Sequence, residues 1–214
     1  MAINSLSTGF RPGVCTFSTR PTAPYEGQVI YETDTDLSYV WGGAAWQQVS
    51  GGTAVGNSGL VFVKSQTIGS AVSSVTVSDA FSATYDNYKI TVNGGTCSSS
   101  DQNFGLKIGA AVTGYYYAVT GATYLGVSSI LALSNGNDFN RAGSIHTDGL
   151  YMNVDLQNPF LTKRTFATGS TIFNASSRFG AGYLDTTTSY TDFTLTPGAG
   201  TLTGGTITVY GYRK

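Results

Sequence analysis

The most constraining feature of this chain is a period of two that closes it. Tyr190-Thr191-Asp192-Phe193-Thr194-Leu195-Thr196 alternates large apolar and small polar residues, and Gly205-Thr206-Ile207-Thr208-Val209-Tyr210-Gly211-Tyr212 does so again. Alternation filled by Thr, Ile, Val and Tyr is the signature of a half-buried strand. Pro197-Gly198-Ala199-Gly200 lies between the two runs and supplies a turn. The runs are therefore expected to pair as a hairpin, with Phe193, Leu195, Ile207 and Val209 facing one core.

Further strands are expected over 60–64, 74–77, 88–93, 104–108, 115–119, 145–156, 165–173 and 179–184. No segment carries a helical period of convincing length; only Ala80-Phe81-Ser82-Ala83-Thr84 suits a short helical turn. Nearer the start, turns at Pro24-Tyr25-Glu26-Gly27, Asp34-Thr35-Asp36 and Gly42-Gly43 separate runs over 28–33, 37–41 and 44–49, a three-stranded meander. Residues 1–23 carry Pro12, Gly13 and Pro21 without a clean period and read as an extended arm. The expected fold is all-β: a small N-terminal β-meander with its extended arm, plus a jelly-roll-like antiparallel β-sandwich. The domains are the arm and meander over 1–52, a Gly/Ser-rich linker over 53–59 and the sandwich over 60–214.

Both tryptophans, Trp41 and Trp46, fall in the meander. A sheet of that size is at the low limit of independent stability and cannot bury them alone, so a partner surface or a second copy is expected to cover them. Tyr31 and Tyr39 are attachment candidates together with the tryptophans. Charge argues the same way. Charged residues make up 11% of the chain, against about 25% in an average domain, so few charges guard the strand edges and an assembly is expected. The net charge of −1, with no Lys/Arg cluster, leaves no electrostatic footprint for a nucleic acid. Met1-Ala2-Ile3-Asn4-Ser5-Leu6 has neither a basic nor an apolar signal region, and no run of 18 apolar residues occurs. Cytoplasmic synthesis without signal peptide or membrane insertion is expected, and with it Cys15 and Cys97 as free thiols.

Chemistry is sparse. Glu26 and Glu32 are the only glutamates, and the aspartates are mostly flanked by Asn, Ser, Thr or Gly, as turn and cap residues are. His146, the sole histidine, has no Cys, Ser or carboxylate support in sequence. Ser134-Asn135-Gly136-Asn137-Asp138-Phe139-Asn140 offers oxygen ligands but one carboxylate, which fits an Asn/Gly turn better than a calcium loop. Tyr115, Tyr117 and Tyr124 are candidates for a glycan or receptor contact, with Tyr116 facing opposite to its two neighbours and at least one of these rings committed to core. No nucleotide, zinc or nucleophile-elbow motif is present. No catalytic role, cofactor or metal is expected.

Two stretches are familiar as families. Arg20-Pro21-Thr22-Ala23-Pro24, Gly27-Gln28-Val29-Ile30-Tyr31-Glu32-Thr33-Asp34-Thr35, Tyr39-Val40-Trp41 and Ala45-Trp46 resemble an N-terminal module of tailed-bacteriophage virion proteins, found ahead of varied distal domains in tail-fibre, minor tail and head-appendage proteins. Phe81, Tyr85-Asp86-Asn87-Tyr88-Lys89-Ile90, Asn158-Pro159-Phe160-Leu161-Thr162 and the final run through Tyr212 resemble a β-sandwich at the C-terminus of many phage structural proteins. The resemblance implies a virion location, attachment through the first module to other head or tail proteins, and a homotrimeric state. Two functions stay open: a purely structural component, and a recognition module whose sandwich loops bind a host-surface glycan or receptor.

Overall fold

The computed structural model describes residues 12–49, 59–146, 148–173 and 175–214. The start of the arm and all of the expected linker except Gly59 lie outside them. The chain forms two compact units, one ending at Ser58 and one starting at Gly59.

The first unit is a four-stranded sheet in the order β1 (Gly13–Cys15), β2 (Val29–Glu32), β3 (Leu37–Trp41), β4 (Trp46–Gln48). The expected three-stranded meander thus gains a strand from the arm, and β1 runs parallel to β2 with Val14 opposite Tyr31. The arm is captured because the turn after β2 holds it: Thr33 N–H donates to Cys15 O at 3.0 Å, and Phe17 N–H donates to the Asp34 carboxylate at 3.1 Å. Ile30 and Glu32 are the fully buried side chains described in this unit. A buried carboxylate needs a partner, and Glu32 has two: the Arg20 guanidinium donates to it, and the Thr35 hydroxyl does so at 2.9 Å. Arg20 in turn lies between the rings of Phe17 and Tyr39, 4.7 and 4.4 Å from their centroids. Hydrogen bonding to Arg20, foremost, and to Thr35 holds the Glu32 carboxyl below its ordinary range against the opposing effect of desolvation.

The second unit holds β5 (Leu60–Thr67), β6 (Val75–Val77), β7 (Asn87–Asn93), β8 (Thr96–Cys97), β9 (Gln102–Ile108), β10 (Tyr115–Thr123), β11 (Ser128–Gly136), β12 (Phe139–His146), β13 (Gly149–Gln157), β14 (Thr165–Phe173), β15 (Ser176–Leu184), β16 (Phe193–Pro197), β17 (Leu202–Thr203) and β18 (Thr206–Tyr212). It is an antiparallel β-sandwich. One layer runs β5-β18-β7-β13-β14-β15-β10-β11 and the other β12-β9-β16-β6. The layers meet at β13, which pairs β12 through Gly149–Met152 and β14 through Val154–Gln157, so the sheet forks near Asn153. Along the sequence the chain crosses repeatedly between layers, while β10–β11 and β13–β14–β15 each run on as antiparallel neighbours within one layer.

The closing hairpin does not form. β16 pairs β9 and β6, whereas β18 pairs β5 and β7, each in its own layer. Phe193, Leu195, Ile207 and Val209 nevertheless face one core, all at 0% exposure. Period two fixes which face is apolar, but it is blind to whether two strands pair edge to edge or oppose face to face. The connection decides that here. It is longer than a two-residue turn and carries β17, which pairs β8, so it arches across the sandwich. The run over 145–156 is two strands reversing between His146 and Gly149 rather than one, and the stretch at 80–84 is irregular with a turn at Ala83-Thr84, not helix. The helical segment among the described residues is the 3-10 turn Phe17–Thr19. Two opposed diglycines close one end: Gly94, Gly95, Gly204 and Gly205 all have φ between 67° and 87°, and a Cβ on Gly95 would lie 2.6 Å from the Gly204 carbonyl carbon.

Candidate functional site: a trough on the outer face

The parity of β10 sets this surface. Tyr115, Tyr117 and Val119 point into the core, which turns Tyr116, Ala118 and Thr120 outward. Cross-strand register then builds a row on the outer face: Tyr116 opposite Tyr183, Tyr183 opposite Phe166, Phe166 opposite Gln157. Tyr116 and Tyr183 stack at 5.1 Å with 14° between planes, and Phe166 stands 6.3 Å from Tyr183. Two residues along each strand the side chains shrink to Ala132, Ala118, Ala181 and Thr168. Large aromatics beside small residues leave a trough of about 540 Å³, within the range of small-molecule sites. Beyond this floor Ile130 and Phe179 stand exposed. Arg164 lies 5.1 Å from the Tyr183 ring centroid and is paired to Asp185 at 2.7 Å. The walls are uncharged aromatic and methyl groups, which suit the apolar C–H faces of a neutral sugar or a hydrophobic side chain.

The structure redistributes the tyrosine candidates. Tyr115 is fully buried; its hydroxyl accepts the Ile108 N–H at 2.8 Å, and burial raises its pKa. Tyr117 is 7% exposed, with its ring in the core. Neither is presented to a surface ligand, and the residue that takes their place is Tyr116. The signal was available: Tyr115, Tyr117 and Val119 form the larger, more apolar set of the alternation. Phe166 and Tyr183 join it only through β-pairing, which local sequence does not encode. Tyr124 is exposed at the tip between β10 and β11, beside Leu125, which is 92% exposed. In the first unit Trp41 and Trp46 are cross-strand partners, partly buried and edge to face at 5.5 Å. Tyr39 carries Arg20, and the Tyr31 hydroxyl donates to Asp36 at 2.8 Å.

Elsewhere side chains with chemical potential hold structure. His146 Nε2 lies 2.9 Å from the Ile172 carbonyl oxygen. Asn135 Oδ1 accepts the Gly114 N–H at 2.9 Å, tying the 134–140 segment to the start of β10. Among the described residues, no three of His, Cys, Asp and Glu converge as metal ligands, and Cys15 and Cys97 are free thiols. Comparison of the chain with protein-family models, curated sequences and solved structures returns no match.

Proposed function

We propose that this chain is a non-enzymatic structural protein of a tailed-phage virion, which attaches through its first unit and carries the β-sandwich as a tail-fibre, minor tail or head-decoration component. The sequence resemblance brings the reading to mind, and one observation supports it most: the two units are unequal in self-sufficiency. The sandwich has a continuous apolar core. The first unit buries Ile30 and Glu32 and leaves Val14, Phe17, Tyr25 and Val49 exposed. A sheet that presents apolar side chains in this proportion is built to be covered by something else.

Self-association, as a homotrimer, belongs to the same proposal. Strand β11 ends its layer, spans Ser128–Gly136 without one charged residue, and is largely exposed. Long uncharged edges template pairing. Light scattering at micromolar concentration is expected to give a trimer, unchanged at about 1 M salt, where the Debye length is roughly 3 Å; a monomer overturns this part. Attachment is tested by deleting residues 1–49. The shortened protein is expected to fold and to be missing from purified particles, and its presence on them moves attachment to the sandwich.

The Tyr116–Tyr183–Phe166 trough favours a second reading, in which the same sandwich binds a neutral host-surface glycan. Glycan-array binding that disappears in Tyr116→Ala and Tyr183→Ala supports it; an array without signal removes it.

A further inference from the structure

Where the sandwich forks, polar side chains meet apolar ones such as Val119, Phe139 and Val154. A narrow cleft of about 20 Å³ lies there, lined among others by Tyr117, Arg141, Thr171, Arg178 and Gly180. That volume exceeds the roughly 10–15 Å³ needed for one water-sized particle, and it is too small for a sugar.

Three features converge on the cleft. The Tyr117 hydroxyl is buried and has no hydrogen-bond partner, a costly state for a polar group in a core. Gly180 makes room for it, since a Cβ there would stand 3.0 Å from Tyr117 Cε2 and 3.5 Å from the hydroxyl. Arg178 enters from β15, fixed by neutral contacts alone: Nη1 donates to Asn103 Oδ1 at 3.1 Å, and the guanidinium lies 4.0 Å from the Phe173 ring centroid. Arg141 enters from β12. It sits in a bulge, where Asn140 pairs Gly105 and Gly143 pairs Phe104, and its φ is +68°. Bulges re-aim side chains. Neither arginine has a carboxylate partner among the described residues.

The electrostatics agree. Desolvation first, then the like charge of Arg141, lowers the pKa of Arg178, so the two guanidinium groups repel each other across the cleft. Burial raises the Tyr117 phenol, while both arginines act on it in the opposite sense and Asp138 in the same sense as burial. Asp138 itself packs against Gly105, with its Cγ 3.0 Å from where a Cβ would be.

We infer that the fork binds a small monovalent anion, of chloride or carboxylate size, held by the Arg141 and Arg178 guanidinium groups and the Tyr117 hydroxyl. Such an ion accepts the hydrogen bond of the Tyr117 O–H, which has no other acceptor, and offsets two like charges at once. It joins β12 of one layer to β10 and β15 of the other, closing the sandwich where its sheet divides.

The test is thermal melting of the full chain at constant ionic strength, with chloride progressively replacing a bulky sulfonate buffer anion. Above its Kd the ion is expected to raise Tm by about 3–5 °C per tenfold increase in chloride. Formate in place of chloride tells the two classes apart: the same slope assigns carboxylates to the site, and no slope restricts it to halides. Tyr117→Phe, Arg141→Gln and Arg178→Gln should each flatten the slope, whatever their own starting Tm. A flat wild-type response, or equal slopes in wild type and all three variants, overturns the inference. Crystals grown in sodium bromide give a readout that needs no variant. An anomalous peak within hydrogen-bonding distance of the Tyr117 hydroxyl is expected; bromide found elsewhere but not there overturns the site.

Discussion

The two sheets of this protein are stabilised by different physics. The first is held at its centre by one buried carboxylate with a guanidinium and a hydroxyl on it, and by rings on either side of that guanidinium. The sandwich buries a continuous set of aliphatic and aromatic side chains from both layers, with Ser144, Thr165 and Ser176 as its buried polar members. Size accounts for the contrast. A short sheet cannot remove enough apolar area from water to fold on that alone, and directional contacts make up part of the difference. Perturbing area should therefore damage one unit, and perturbing charge the other. The two can be watched separately, since both tryptophans of the chain lie in the first unit.

The largest effect is expected from Phe193→Ala. Phe193 is fully buried and stacks on Phe81 at 5.7 Å, and truncation of such a ring costs about 3–5 kcal/mol. Circular dichroism melts should show the sandwich destabilised while tryptophan emission at 25 °C stays unchanged. A shift of that emission with the mutation would break the separation.

Acid should act in the reverse sense. The folded pKa of Glu32 is lowered, so its contribution is fully present above the unfolded glutamate value of about 4.3. It is lost as pH falls through the lower folded value, because the unfolded chain takes up the proton first. Tryptophan emission should therefore report loss of the first unit below about pH 4, before the sandwich signal changes. Glu32→Gln should remove this step. Coincident transitions by both probes would place the acid-sensitive group elsewhere.

These contrasts were unequally legible in the sequence. Alternation gave away the strands, their apolar faces and the absence of long helices, because side-chain direction in a strand is a local property. Pairing is not local. Phe193-Thr194-Leu195 and Ile207-Thr208-Val209 look like two sides of a hairpin, yet they line opposite layers. β11 is not legible because Ile130-Leu131-Ala132-Leu133 is an unbroken apolar run, although at this sheet edge Leu131 and Leu133 are half-buried while Ile130 and Ala132 are exposed. The buried role of Glu32 depends on Arg20, twelve residues earlier, folding back over it. The trough needs three strands in register before its aromatic residues become neighbours. Parity within Tyr115-Tyr116-Tyr117, by contrast, was there to be read from Val119.

That parity supplies a smaller effect. Tyr115→Phe leaves the buried Ile108 N–H without the oxygen that accepts it at 2.8 Å, which should cost about 1–3 kcal/mol. Tyr116→Phe, on the outer face, should change stability by less than about 0.5 kcal/mol. Chemical denaturation of the two variants measures the difference directly, and equal costs would mean that the inward and outward assignments on β10 are wrong.

The smallest effect is expected from the largest change. Removing residues 1–58 takes away the entire first unit but none of the strands β5 to β18. Every edge partner that the sandwich strands have is another sandwich strand, and the buried cluster that includes Phe193 and Val209 draws on residues from Ile68 to Val209. Stability that resides in those contacts should survive the deletion within about 0.5 kcal/mol, as expected for sites that share no partners. Equal melting midpoints for the fragment and the full chain, each followed by circular dichroism at low protein concentration, would establish that the first unit serves something other than the sandwich. A drop of several degrees would mean that it is part of the sandwich's own stability, and would remove the main support for reading it as an attachment module.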